Sequence, residues 1–403
     1  MMLRNRNKNN ENAAPAAAAA IRPRNMNAQQ PDAAPLKGEK RVIDATKPGV
    51  DATEPQAKRV AMNDISKVFS NVVLDSTKKP TDQKARKGAS SNRAMSVIAE
   101  NSENVEPSSP ARVDPCPDYD YDAECGKDTL QVGEYANEIF TYYRHRMPLF
   151  KIGKYMEHQT NINPQMRAAL INWMVSIQEQ FELNHETLYL AVKVVDIYLD
   201  RTNQKIVRSD LQLIGGTAMF LASKYDERLA PLIDDINYLC DDTYTKQQVI
   251  RMELILFKAV GFDLGIPLSY RFLRRFSRVI KSDMHTLTLA RYILESSLLF
   301  YEFVTVKDDI LAAAALLLAL RMKRRDWDAR LTKYTTYTLE EVEPLSWMLN
   351  HMIYKRKTQY AEFQTIHLKY SHNVFFHVAA TPSLPDKFHP RAAITIPTNV
   401  INQ

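Results

Sequence analysis

Two residues of opposite charge stand where a buried helix would want neither. Lys224 closes the apolar run Met219-Phe220-Leu221-Ala222-Ser223, and Glu253 interrupts the run from Val249 to Phe257. A charge in such company is expensive unless it is paired. The cost is recovered if the two match each other, or if both are offered to a second protein whose groups complete them. The expectation is that this acid and base are kept unsatisfied on one exposed face so that a foreign protein completes them.

Residue types that perform catalysis are absent in usable patterns. Among the ten glycines the only adjacent pair, Gly215-Gly216, sits inside a helical stretch, where small residues allow close packing rather than cradle a phosphate. Of the nine histidines, His185-Glu186 lacks the second histidine of a zinc-protease helix, and His372 with His377 has no third partner. Cys116, Cys125 and Cys240 supply neither a disulfide framework nor a zinc pair, so a reducing compartment is expected. With no catalytic constellation, metal site or cofactor site, the expected role is binding.

A second candidate surface is the block Met166-Arg167-Ala168-Ala169-Leu170-Ile171-Asn172-Trp173. Met166, Leu170 and Trp173 lie four and then three residues apart, hence on one helix face. Taken alone, that face reads as plain core.

The elements that must carry these residues are helices. Leu188, Ala191, Val192, Val195, Tyr198 and Leu199 follow the three-and-four spacing of one face. Asn163 before Pro164 marks one start, and Ser209 to Gln212, Thr245 to Gln248 and Thr338 to Glu341 read as capping boxes. No segment alternates long enough for a sheet, so the fold is expected to be all-α. The eleven apolar residues from Ile310 to Leu320 fall short of the roughly 20 that a membrane span needs, and predict a helix buried on all sides.

Within the helical half, Thr243-Tyr244-Thr245 returns as Thr336-Tyr337-Thr338. Leu221-Ala222-Ser223-Lys224 is answered by Leu318-Ala319-Leu320-Arg321 at a similar offset. Two helical domains of one plan are expected, with their junction at Gly261 to Pro267. Residues 1–128 are of another kind. The first 118 residues hold one of the 37 aromatic residues, Phe69, and 11 of the 20 prolines. Lys and Arg outnumber Asp and Glu by 18 to 9 over residues 1–99, and the balance reverses to 2 against 9 over 100–128. A basic tail with an acidic neck is expected to form a disordered, solvated arm.

The block from Met166 to Trp173, together with Phe181 to Ala191, Leu221 to Tyr225 and Asp241 to Thr245, resembles the cyclin family, from about residue 130 to 372. The chain looks like a B-type mitotic cyclin, most like the third (B3-like) subclass. That resemblance implies tandem cyclin boxes of five helices each, placed at 129–262 and 263–376, with a tail at 377–403. It implies a regulatory subunit without its own active site, which binds a mitotic cyclin-dependent kinase and activates it allosterically by favouring the arrangement in which the catalytic Lys and Glu are paired. Lys224, Glu253, Tyr225 and Phe262 then match the kinase interface. Met166, Arg167, Leu170, Trp173, Leu211 and Gln212 match a groove for Arg-x-Leu substrate and inhibitor peptides. Gln212 has a competing use in the capping box with Ser209.

The resemblance extends to the arm. Arg59-Val60-Ala61-Met62-Asn63-Asp64 resembles a destruction box read by the ubiquitin ligase of anaphase, with Arg59, Met62 and Asp64 as its markers and Met62 in place of the usual leucine. Ser109-Pro110 has the form of a proline-directed phosphosite. Lys78-Lys79 and Lys84 to Lys87 have two readings, a nuclear import signal or a soluble basic tail; the first implies nuclear protein with a cytoplasmic pool. No membrane or direct nucleic-acid partner is expected. The alternative reading is a tandem cyclin-fold transcription factor, but it would ordinarily bring a zinc ribbon and a stronger basic excess than the four charges beyond residue 128.

Overall fold

The first bundle of the chain is built from five helices, α3 (Pro164–Gln180), α4 (His185–Arg201), α5 (Arg208–Asp226), α6 (Ile233–Leu239) and α7 (Lys246–Ala259). The second repeats the plan with α8 (Ser269–Val279), α9 (Met284–Ser297), α10 (Asp308–Met322), α11 (Ala329–Thr335) and α12 (Leu339–Gln359). Among the described residues, the α-helices α1 (Tyr121–Glu124) and α2 (Gly133–Arg146) precede them, and α13 (Thr365–Lys369) follows. The computed structural model describes residues 113–126, 128, 131–389 and 391–401. Among these the only β feature is an isolated antiparallel bridge between Val306 and Ile401. The architecture is the expected all-α tandem of five-helix units.

Local chemistry sets most of the starts. The Asn163 side chain accepts the Met166 N–H at 2.9 Å, with Pro164 in the first helical position. Thr245 and Gln248 cap each other reciprocally, and the Thr338 N–H donates to the Glu341 carboxylate at 2.7 Å. These two helices are the fifth of each bundle, so the repeated Thr-Tyr-Thr marks equivalent elements. Lys224 and Arg321 likewise sit in the last turns of α5 and α10, the third helix of each. The box expected at Ser209 does not form. Val207 is the N-cap of α5, Ser209 lies inside the first turn, and its hydroxyl meets Asp210. A residue already in helical geometry cannot cap, and Gln212 is released from that role.

The core sits around α4 and α10. Every residue of α4 from Leu188 to Leu199 except Lys193 is buried, and α10 is buried from Asp308 through Leu320, as its unbroken apolar run predicts. None of the described helices is long and apolar enough to cross a membrane. Gly215 and Gly216 bring α5 close to α3. A methyl group on Gly215 would lie 2.7 Å from Leu170 Cδ1, and one on Gly216 would lie 3.4 Å from the Trp173 ring.

Two terminal segments pack on the second bundle. The Asn350 amide of α12 donates to the Leu384 carbonyl at 3.0 Å, and His351, fully buried, meets Asp386 at 2.7 Å. At the other end, the acidic neck departs from expectation. Residues 113–126 do not form a solvated arm: Asp122 grips Arg275 of α8, and Asp114 lies 2.7 Å from Lys333 of α11. Cations 153 or more residues downstream supply the neutralisation that local composition lacks.

Candidate partner-binding face

Lys224 and Glu253 come together. Lys224, at the end of α5, donates to the Glu253 carboxylate on α7, and its ammonium also lies 4.5 Å from the centre of the Phe220 ring. The expectation that both are left unsatisfied is therefore corrected: they satisfy each other. Geometry makes this natural, because the last turn of α5 runs beside the middle of α7. The pair nevertheless belongs to the surface, with 43% of the Lys224 side chain and 18% of the Glu253 side chain exposed.

Several apolar residues of α7 and of the loop after α5 are exposed. Helix α7 buries only Val249 and Leu256 completely, seven residues apart, and leaves Ile250, Leu254 and Ile255 exposed. Tyr225 is exposed beside Lys224, and Leu229 and Leu232 follow it in the next loop. Large apolar side chains left in solvent in this number suit a surface that a partner covers.

Phe262 completes the face through a backbone device. The α7 helix ends in paired bonds from Phe262 N–H to the Phe257 carbonyl, 2.9 Å, and from Gly261 N–H to the Lys258 carbonyl, 3.0 Å. Gly261 and Phe262 have φ of 72° and 60°, in the left-handed region that glycine takes freely and phenylalanine does not. The Phe262 ring packs edge-on against Phe257 at 5.1 Å and stays 58% exposed. Arg146 of α2 steadies the following residues by binding Asp263 and, at 3.1 Å, the Gly265 carbonyl. Between these elements lies a cleft of about 460 Å³ lined by Tyr143, Tyr225, Phe262 and Leu264.

The second expected surface is largely core. Arg167 is corrected outright: it is 2% exposed, both its Nε and Nη2 reach Asp196 at 2.7 Å, and Nη1 donates to the Leu298 carbonyl of the second bundle at 2.7 Å. It is a buried clamp between bundles, not a groove residue. Leu170 and Leu211 are completely buried and Trp173 is 3% exposed, because the glycine pair draws α5 onto α3. Only Met166 and Gln212 of that set present surface. Asn172 accepts the Thr365 N–H at 3.1 Å, which ties α13 to α3. Arg59, Met62, Asp64, Ser109 and the basic pairs lie outside the described residues.

Sequence reasoning missed Ile250, Leu254 and Ile255. The signal was present: α7 carries more apolar residues than one buried stripe of a 14-residue helix can use. Among the described residues no group of His, Cys, Asp and Glu could hold a metal ion.

Comparison with known proteins gives this arrangement its family. Residues 138–265 match the cyclin N-terminal domain and residues 267–384 the cyclin C-terminal domain. A G2/mitotic-specific cyclin-B3 of Caenorhabditis elegans is 44% identical over 351 residues, covering 85% of this chain and 88% of the relative. The cyclin-B3 of Gallus gallus is 40% identical, covering 80% and 84%, and that of Drosophila melanogaster 44%, covering 70% and 50%.

The chain belongs to the cyclin family, in its B3 branch.

As a cyclin it is a regulatory subunit of a cyclin-dependent kinase and not itself an enzyme. The two matched segments of the cyclin meet at residue 266, in the linker between α7 and α8 that also carries Phe262.

Proposed function

We propose that this cyclin binds a mitotic cyclin-dependent kinase through the face around Lys224 and Glu253, and that the binding activates the kinase. The observation that carries the reading is an exposed ion pair joining α5 to α7, with Ile250 and Leu254 exposed near Glu253 in the sequence of α7, Tyr225 exposed next to Lys224, and Phe262 exposed just beyond the end of α7. An apolar helix of the kinase would cover the hydrophobic residues, while its backbone and side chains share the ion pair. The rigid bundle favours the one kinase conformation that fits it, and the population shifts toward the active form without any cyclin atom touching ATP.

Substrate and inhibitor peptides of Arg-x-Leu type dock at the seam of α3 and α5, where Met166 and Gln212 form the accessible rim. The segment with Arg59, Met62 and Asp64 marks the chain for the ubiquitin ligase of anaphase, and the basic pairs near Lys78 direct it to the nucleus, with a cytoplasmic pool. Arg59→Ala with Met62→Ala is then expected to yield protein that persists past anaphase, and unchanged turnover removes that part of the proposal.

The kinase reading is tested by purifying the full chain from dividing cells and assaying the associated histone kinase activity. Wild type is expected to bring down an active kinase, and a chain carrying Ile250→Asp and Leu254→Asp is expected to bring down none. Equal activity from both overturns the assignment of the face.

A further inference from the structure

The segment 113–126 carries Asp114, Asp118, Asp120, Asp122 and Glu124 and no lysine or arginine. It lies as a strap across α8 and α11. Asp122 binds the Arg275 guanidinium through both oxygens. Lys333 takes Asp114 at 2.7 Å and donates to the carbonyls of Cys116 and Tyr119 at 3.1 and 2.8 Å. The Tyr119 hydroxyl donates to the Val279 carbonyl at 2.6 Å, while its ring stands edge-on to Tyr334 and 5.4 Å from the Arg330 guanidinium. The Tyr121 N–H donates to the Tyr334 hydroxyl at 2.7 Å.

Three features distinguish this from ordinary packing. The strap lies outside both segments that match the family, whereas Arg275, Arg330 and Lys333 lie inside the second. Its own regular structure is one four-residue turn, and among the described residues no backbone-to-backbone hydrogen bond ties it to the second bundle. Its outer ion pairs, Lys333 with Asp114 and Lys281 with Glu124, are partly exposed, which makes them weak and sensitive to salt. The shielded contacts are few and centre on α1: Arg275 with Asp122, the buried Tyr121 ring beside them, and the Tyr119 hydroxyl on Val279.

We infer that residues 113–126 are a detachable ligand held in cis, and that the α8–α11 face beneath them is a docking site for acidic, tyrosine-bearing segments of a second protein. The receptor chemistry is specific: a guanidinium fork for a carboxylate, and a tyrosine slot between an aromatic edge and a second guanidinium. Tethering gives the strap a high effective concentration, so a free segment enters only when the strap is weakened.

The test uses the full chain and a labelled peptide with the sequence of residues 113–126. The peptide is expected to bind a variant carrying Asp114→Ala, Tyr119→Ala and Asp122→Ala at least tenfold more tightly than wild type, and adding Lys333→Glu is expected to reverse the gain. Equal binding to wild type and variant overturns the inference. So does equally tight binding of a peptide with both tyrosines changed to alanine, or displacement by millimolar inorganic phosphate, which would indicate a general anion site. Thiol labelling keeps the test decisive if the triple variant does not fold. Lys333→Glu alone is expected to speed labelling of Cys116 and Cys125 severalfold while the buried Cys240 stays protected. No change, or exposure of all three together, shows an integral part of the domain.

Discussion

Lys224 and Glu253 bind each other across the seam of α5 and α7, yet the lysine side chain keeps 43% of its surface in solvent. An exposed pair of this kind contributes about 0 to 1 kcal/mol to folding. Once a partner covers the face, removal of either member strands the other in a desolvated interface, at about 2 to 5 kcal/mol. Lys224→Ala and Glu253→Ala are therefore expected to melt close to wild type and to lose roughly thirtyfold or more in kinase affinity. Calorimetric melting beside a binding titration separates the two quantities; a lower melting temperature with unchanged affinity would make the pair purely structural.

Ile250 and Leu254 give a sharper contrast, because neither contributes to the core. Ile250→Asp or Leu254→Asp is expected to change stability by no more than about 0.5 kcal/mol. Kinase affinity is expected to fall at least tenfold, about 1.4 kcal/mol, since a carboxylate would be buried against an apolar partner surface. Denaturant titration and a pull-down measure both effects on the same preparation.

Arg167 distinguishes a buried clamp between the bundles from a groove residue. Arg167→Ala would leave Asp196 buried with only the Tyr155 hydroxyl, 2.7 Å away, for company. Loss of one member of such a pair costs about 3 to 5 kcal/mol. Urea unfolding should show that loss, whereas a groove residue would alter the affinity of an Arg-x-Leu peptide and leave the unfolding midpoint in place.

The difference between what the sequence disclosed and what it hid is one of range. Asn163, Thr245 and Thr338 act within four residues of themselves, so their caps could be read directly, and Ser209 failed only because the helix began two positions earlier than Ser209 could cap. Lys224 and Glu253 were conspicuous because a charge in an apolar run needs a reason, although composition could not tell mutual pairing from a foreign partner. Leu170 and Trp173 were ambiguous in principle: core and groove ask for the same residue types at the same spacing, and the approach of α5 through Gly215 decides between them. The strap was misread because its cations arrive from α8 and α11, far along the chain.

Glu295 gives the fold an acid-side pH dependence. It is fully buried on α9, where Lys369 of α13 lies at 2.6 Å, the Tyr370 hydroxyl at 2.8 Å and His185 of α4 at 3.3 Å. Burial pushes its carboxyl up, but the Lys369 charge and the surrounding hydrogen bonds prevail and hold it at about 2, below the ordinary 4.5. A carboxylate held low in the folded state stabilises the fold fully above its ordinary range, and that contribution drains away as the pH falls from about 4.5 toward 2. Stability measured by urea unfolding is therefore expected to decline across that window in wild type. Glu295→Gln removes the titrating group and leaves the buried Lys369 without its direct ion-pair partner, so it is expected to cost about 3 to 5 kcal/mol at neutral pH and to flatten the acid limb. A variant with wild-type stability at pH 7, or one that keeps the full acid slope, would show that the linkage between α4, α9 and α13 does not depend on this charge.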